Sequence, residues 1–465
     1  MSISERTPRH RSRGVRIMTL MLALALGALL VHLGAAPAAA QVRVRRAVQP
    51  EAIDDATKAA IIDSVSAAME AVYVFPDVAS RMEEEIRHNL RAKAYRDIET
   101  YEEFAARLTE DLQGISNDKH LHVDYFPDPG TGSANRDSLA AEEQRRTLER
   151  LRKSNYGFAK LELLAGNIGY LDLRSFVDAA WAGETAVAAM AFLAGSDAVI
   201  IDLRQNGGGS PSMIQLISSY FFDEPVHLNS FYIRDEDRIK QFWSHAHVEG
   251  ERMTDVDLYV LTSGMTFSAA EEFTYNMKNL ERATIIGETT GGGAHPVRFV
   301  GFPDLKVSMS LPFGRAINPI SGTNWEGTGI EPDIEVPQAE ALEMAHLEAL
   351  KRLKDKAADE ESREAYAWGI TMLEGKINPI EIDTETAGRY AGGYGPRTII
   401  FEGGDLYYQR QDRPKLRMIQ AAKGLFIFDE YDFFMLEVET DNGGNPIALI
   451  GHYSNGRTDR SPRDD

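Results

Sequence analysis

The sequence predicts an α/β protein with a helical front end and a C-terminal antiparallel β-domain. Three observations point there. Between about residues 156 and 345, short apolar runs alternate with helical patterns, as in a sheet covered by helices. Residues 51–125 show apolar positions at helical spacing. Residues 380–456 carry short strand-like runs divided by glycine turn signals, the pattern of a small barrel or sandwich.

The first forty residues stand apart from this scheme. Arg6, Arg9, Arg11, Arg13 and Arg16 form a basic segment, Ile17 to Leu33 an apolar run, and Ala38-Ala39-Ala40 a small-residue cleavage pattern. This is the layout of a signal peptide, so a periplasmic or secreted protein is expected, with no stable membrane span after cleavage. Its removal would deepen the net charge from −21 to −25.

The front end then reads as three amphipathic helices forming a small bundle, a platform rather than a catalytic domain. Ile61, Ile62, Val65, Met69 and Val72 mark the first. Pro76 interrupts the pattern, and Asp77 is placed to cap a second helix through Val78, Met82, Ile86 and Leu90. Thr100 and Glu103 form a capping pair before Phe104, Leu108 and Leu112. Asp128 to Asp137 is rich in breakers, and a charged helix runs on through Arg152.

In the core, strands are expected at Ile168–Leu173, Ala198–Asp202, Leu258–Leu261 and Ala283–Ile286, with helices at Ala182–Leu193, Met213–Phe222 and Ala269–Leu280. The continuous apolar run Ala198-Val199-Ile200-Ile201 suits a strand buried on both faces. Lys354 to Leu373 reads as one charged helical stretch. Strand-like runs come after it at Thr398–Phe401, Leu406–Tyr408, Leu425–Phe428, Phe433–Val438 and Ile447–Ile450, and the tail after Gly456 is expected to be disordered.

Composition excludes several chemistries. A net charge of −21 is wrong for a general nucleic-acid binder, which needs a basic face. Cysteine is absent, which rules out a thiol nucleophile, a zinc-thiolate site and disulfides. His120 and His122 share a face if extended, but no third metal ligand is apparent and no metal is assigned.

Three loops come directly after predicted strands. Thr262-Ser263-Gly264-Met265-Thr266-Phe267 leads to Ser268 at the start of a helix. A hydroxyl there faces free N–H groups and a positive dipole end, which suits a nucleophile, although serine in that place is also an ordinary helix cap. Asp202-Leu203-Arg204-Gln205-Asn206-Gly207-Gly208-Gly209 can bring backbone N–H groups close to a ligand as an oxyanion hole or serve as a tight turn. No phosphate-loop pattern is present, and Ser212 stands where a third glycine would fall. Gly287-Glu288-Thr289-Thr290-Gly291-Gly292-Gly293-Ala294-His295 is the third.

Taken in order, Leu203–Gly208, Thr262–Glu271 and Gly287–Gly292 resemble the tail-specific, or C-terminal processing, serine peptidase family. The resemblance implies a core like that of crotonase and Clp protease, no cofactor, and a protein or peptide substrate. It aligns Ser268 with the nucleophile, and makes the backbone N–H groups of Gly207 or Gly208 and of Ala269 candidate oxyanion donors. Gly291 and Gly292 are read as substrate-binding, and His295, in the same loop, is a rival base read as substrate-facing or structural. The processing branch uses a lysine where this chain has Gly293, and no lysine occurs between Lys278 and Lys306. The branch of interphotoreceptor retinoid-binding protein and tricorn-type peptidases instead uses histidine, in an Asp-Gly-His-like motif. Asp118-Lys119-His120 is similar to it, with Lys119 in place of glycine. That branch's later carboxylate falls on Glu326, within Thr323-Asn324-Trp325-Glu326-Gly327-Thr328-Gly329-Ile330-Glu331-Pro332-Asp333-Ile334. The expectation is an exported serine endopeptidase with a Ser268–His120–Glu326 triad. The alternative is a non-catalytic carrier of hydrophobic ligands or peptides on the same fold. Between His122 and Asn155 there is too little chain for a tail-binding PDZ domain.

Overall fold

The computed structural model describes residues 50–126 and 136–465. The predicted signal segment and the breaker stretch as far as residue 135 lie outside the described residues. Asp54 caps α1 (Asp55–Val72), its carboxylate accepting the Thr57 N–H at 2.7 Å. Pro76 opens α2 (Pro76–Arg91) rather than interrupting it, because the first helical turn does not use the N–H that proline lacks. Asp77, predicted as the cap, therefore lies inside the first turn and Phe75 is the N-cap. Thr100 caps α3 (Tyr101–Ser116), accepting from the Glu103 N–H. Asn117 ends that helix in the left-handed region, and β1 (His122–Tyr125) and α4 (Arg136–Lys153) come next.

The core is a six-stranded sheet with helices on both faces. Its elements are β2 (Phe158–Leu164), β3 (Ile168–Leu173), α5 (Ala179–Leu193), β4 (Ala198–Asp202) and α6 (Pro211–Ser218). After the hairpin β5 (His227–Ile233) and β6 (Arg238–Trp243) come β7 (Asp257–Thr262), α7 (Ala269–Asn279) and β8 (Ala283–Gly287). Beyond β9 (Val297–Phe302), β10 (Val307–Pro312) and β11 (Gly314–Ile317), the two-residue β12 (Ile334–Glu335) completes the sheet, and α8 (Ala341–Lys356) covers it. The order is β12-β8-β7-β4-β3-β2, parallel except for β2 against β3. Strand alternation divides the apolar residues. Val199, Ile201, Leu258 and Val260 pack under α5, α6 and α7, while Ala198, Ile200, Tyr259 and Leu261 pack against Ala341, Ala345 and Leu350 of α8.

The front end is not a self-contained bundle. Ile61, Met69, Met82 and Leu108 share one core with Val307, Met309 and Leu311 of β10, and β1 pairs antiparallel with β10 from His122↔Ser310 to Tyr125↔Val307. The helices bury their stripes on a three-stranded sheet whose other two strands lie far downstream, a pairing that local periodicity does not contain. The segment before β1, which holds Asp118 and His120, is thereby anchored to the second half of the chain.

The charged stretch predicted as one helix is two, α8 and α9 (Glu360–Ile377). The break comes where Ala357 turns extended and Asp359 caps the second helix. After α10 (Thr384–Tyr390) come two antiparallel sheets. The first holds β13 (Gly392–Tyr394), β14 (Arg397–Glu402), β15 (Asp405–Arg410) and β16 (Leu416–Arg417). The second holds β17 (Ile419–Ala422), β18 (Leu425–Phe428), β19 (Tyr431–Thr440), β20 (Pro446–Tyr453) and β21 (Thr458–Pro462). Tyr394, Ile399 and Tyr408 of the first meet Phe426, Phe428, Phe434 and Leu449 of the second in one core. Among the described residues, no helix is long and apolar enough to cross a membrane.

The tail corrects an expectation. Residues 458–462 form β21 on β20, and Asp459 pairs with Arg397, a guanidinium 1% exposed. A polar sequence reads locally as disorder, but a buried cation on another strand requires its carboxylate. Asp459→Ala should therefore destabilise the protein by about 3 kcal/mol in urea unfolding, the cost of stranding a buried charge, and a change below about 0.5 kcal/mol would contradict it.

Candidate active site

Three loops leave the C-terminal ends of β4, β7 and β8, adjacent parallel strands of the sheet, where open α/β sheets place their ligands. Side chains of the predicted motifs lace them together. Ser263 Oγ donates to Arg204 O at 2.6 Å and Thr266 Oγ1 to Leu203 O at 2.9 Å. Asn206, fully buried, donates to Leu173 O through Nδ2 at 2.8 Å, and its backbone carbonyl accepts the Phe267 N–H at 3.1 Å. The motif residues are the fastenings of the corner at Ser268.

At that corner Ser268 holds φ 57° and ψ −120°, a left-handed conformation that costs a non-glycine residue about 1–3 kcal/mol. A Cβ on Gly208 would stand 2.8 Å from Ser268 Cβ, so only glycine lets that loop pass so near the serine. A cavity of about 480 Å³ opens on Ser268 and Ala269, walled by Phe231, Ile233, Phe242 and Trp325.

Glu271, at the third position of α7, is wholly buried. Its carboxylate accepts from Ser268 N (2.8 Å), Thr290 Oγ1 (2.5 Å), Gly292 N (2.7 Å) and Gly293 N (2.9 Å). Burial raises its pKa, and these donors oppose the rise. The motif pattern by itself gives Glu271 no role; its place three residues after the cap is the one signal of it in the sequence.

Asp118 is the centre of a second buried group. Its carboxylate accepts from His120 N at 3.0 Å, His295 Nδ1 at 2.6 Å and Tyr73 Oη at 3.3 Å. The His120 ring lies on Phe267, the neighbour of Ser268, with centroids 4.6 Å apart. A ring nitrogen of His120 and one carboxylate oxygen each of Asp118 and Glu326 lie within 4.8 Å of one another. Lys119 is not in the left-handed region, so no glycine is needed there, and its Nζ donates to Gly291 O at 2.5 Å.

Burial pushes the His120 pKa down to about 4 although Asp118 opposes it. The imidazole is then neutral at physiological pH, as a proton acceptor must be. Burial holds Glu326 up at about 7; His295 lowers it and Asp118 adds to the rise. For His295, burial acts downward, but the Asp118 bond and charge outweigh it and the net direction is up.

The structure redistributes some expected roles. Gly291 N donates to Thr266 O and Gly292 N to Glu271, so the two glycines predicted to face substrate are tied inward. The loop meets the cavity from Gly293 to Val297, with His295 in its wall. Gly208 N donates to Asn206 Oδ1 at 2.9 Å. Gly207 is exposed on the same loop, and Ala269 opens α7, where N–H groups lack intrahelical acceptors. Glu326 accepts from Ala294 N at 2.5 Å and lies 3.5 Å from His295 Nδ1. His122 turns away, bonded to His120 O and Asp124. Lys278 is held by Asp333 at 3.0 Å and by Glu331 O.

Residues 167–336 match the model for peptidase family S41, and residues 55–154 match the N-terminal domain of that family's peptidases in eukaryotic IRBP. The chain belongs to peptidase family S41. Solved structures similar to this S41 chain include a putative S41 protease from Bacteroides fragilis, 20% identical with a TM-score of 0.36, covering 40% of this chain and 52% of that one. The chain thus spans about half the length of that protein. The photosystem II D1 C-terminal processing protease is 14% identical with a TM-score of 0.37, covering 60% and 93%. Tricorn protease is 13% identical with a TM-score of 0.39, covering 62% and 35%.

Two stability measurements check this S41 site. Ser268→Gly should raise stability by about 1 kcal/mol by releasing the left-handed strain, whereas Ser268→Ala, which keeps Cβ, should not. A carboxyl whose folded pKa is about 7 against 4.5 free is held more tightly protonated when folded. Its burden on stability grows as pH rises from 4.5 to 7 and is complete above. Glu326→Gln should thus stabilise by roughly 2–3 kcal/mol at pH 8 and leave stability at pH 4 unchanged; equal gains at both values would refute it.

Proposed function

We propose that this S41 peptidase is exported and hydrolyses internal peptide bonds through an acyl-enzyme on Ser268, with His120 as general base and Glu326 behind it. The observation that carries the reading is the strained Ser268 corner, opened onto a cavity, with the neutral buried His120 ring lying on the adjacent Phe267. Export rests on the basic, apolar and small-residue segments of residues 1–40.

A further observation favours His120 with Glu326. His120 Nδ1 and Glu326 Oε1 are both buried without a hydrogen-bond partner. One is a ring nitrogen able to donate and the other an acceptor, so a bond between them would satisfy both. Nε2 would then be left to accept the serine proton. As Ser268 Oγ attacks the peptide carbonyl, His120 takes that proton and passes it to the leaving amine. The carbonyl oxygen becomes an oxyanion, stabilised by backbone N–H groups at Gly207 and Ala269. Water, deprotonated by the same imidazole, releases the acyl group.

His295 supports a second reading of the base. Asp118 orients its Nδ1 at 2.6 Å, and it lines the cavity with Ser268, which His120 does not. Cleavage of an unstructured protein by wild type, Ser268→Ala, His120→Ala and His295→Ala separates the two. Ser268→Ala and His120→Ala should each lose at least about 10³-fold in kcat/KM, with His295→Ala losing far less. The reverse order for the histidines would move the base to His295. A wild type that neither cleaves nor is acylated by a fluorophosphonate would favour the non-catalytic carrier.

A further inference from the structure

The cavity at Ser268 is lined by apolar side chains and by a buried acid, Glu272. Glu272 lines it, 4% exposed, and comes four residues after Ser268 along α7. Both residues line the cavity, and one turn separates their backbones by about 6 Å along the axis. The Glu272 N–H donates to Ser268 O at 2.9 Å, which fixes the backbone spacing between the two residues.

Behind it lie two buried amides. Asn276, the next turn down that face, is wholly buried with both side-chain polar atoms lacking a hydrogen bond, and Asn229 on β5, also wholly buried, opposes the rise in the Glu272 pKa, which burial pushes up to about 7. Asn229 alternates with Phe231 and Ile233 on one face of β5, and both of those line the cavity. A buried carboxyl group next to an orphaned amide is costly for a core, and no step of the peptide-bond chemistry proposed for Ser268 uses it. The other charged groups at the cavity do not take its place. Lys240 is exposed, set over the Phe242 ring at 5.0 Å, and Asp178 is engaged by Ala180 N and Ser210 Oγ.

We infer that this cavity is the primary specificity pocket for the side chain preceding the cleaved bond, and that Glu272 selects a lysine or arginine there. A cavity lined by Phe231, Ile233, Phe242 and Trp325 together with the Glu272 carboxylate matches an aliphatic stem that ends in a cation, and the depth of one helical turn matches its reach. The inference rests on Ser268 being the nucleophile only for which bond is cut; the pocket can be read without catalysis.

Two measurements test it. Binding of p-aminobenzamidine, followed by its fluorescence, should occur in wild type and weaken at least about tenfold in Glu272→Gln, with Glu272→Asp between them. Cleavage of matched peptides should favour lysine or arginine over norleucine before the cut by about 100-fold, and Glu272→Gln should abolish that preference. Thermal melts of each variant establish that it is folded. Benzamidine binding that depends on Glu272 in a protein that cleaves nothing would keep the pocket and sink the peptidase reading. Cleavage without basic preference, or benzamidine binding indifferent to Glu272, would overturn the pocket and leave the peptidase reading standing.

Discussion

The Glu271 carboxylate joins what would otherwise be two independent loops. It accepts the Ser268 N–H at the corner after β7, and the Thr290 hydroxyl with the Gly292 and Gly293 N–H groups in the loop after β8. A buried carboxylate is unfavourable unless its lone pairs are filled, and here four donors fill them. The requirement acts in both directions. The donors need the acceptor, so the strained serine is held in place, and the loop that carries Ala294 and His295 past the cavity is held with it. Ala294 in turn donates to Glu326, and Trp325 Nε1 donates to Gly293 O at 2.8 Å. One side chain thereby sets the positions of two further segments.

The histidine side of the site is built by a different constraint. His120 lies on no core strand; it precedes β1, and β1 is held in register by β10. The three front helices close over that pairing with a shared apolar core. Asp118 then spans the gap, bonding the His120 backbone on one side and the His295 ring on the other. The low His120 pKa and high Glu326 pKa have one origin, removal of water from a junction between front end and core. Both buried groups are thereby biased toward their neutral forms.

The C-terminal sheets obey the same rule on a smaller scale. Arg397 is buried on β14, and its charge is met by Asp459 on the last strand of the other sheet. The pair is non-local, and it gives order to a polar tail whose composition alone reads as disorder. The helix break at residues 357–359 is the opposite case, since Asp359 as a cap is a local feature that a long charged stretch conceals.

Much of the fold was legible because it depends on short-range physics. Apolar runs such as Ala198–Asp202 signal buried strands, Thr100 signals a helix start, and the glycine loops mark strand ends. The serine was legible too, as a hydroxyl at a strand-to-helix corner among ordered motifs. What tertiary structure decided was which groups are shared. Gly208 N is committed to Asn206, Gly292 N to Glu271, and His295 to Asp118, a residue 177 positions away. Each of these depends on two segments meeting in space, and a backbone N–H looks the same in sequence whether it faces a ligand or a buried carboxylate. The chain by itself determined the chemistry on offer; packing determined which donors and acceptors were already spent on one another.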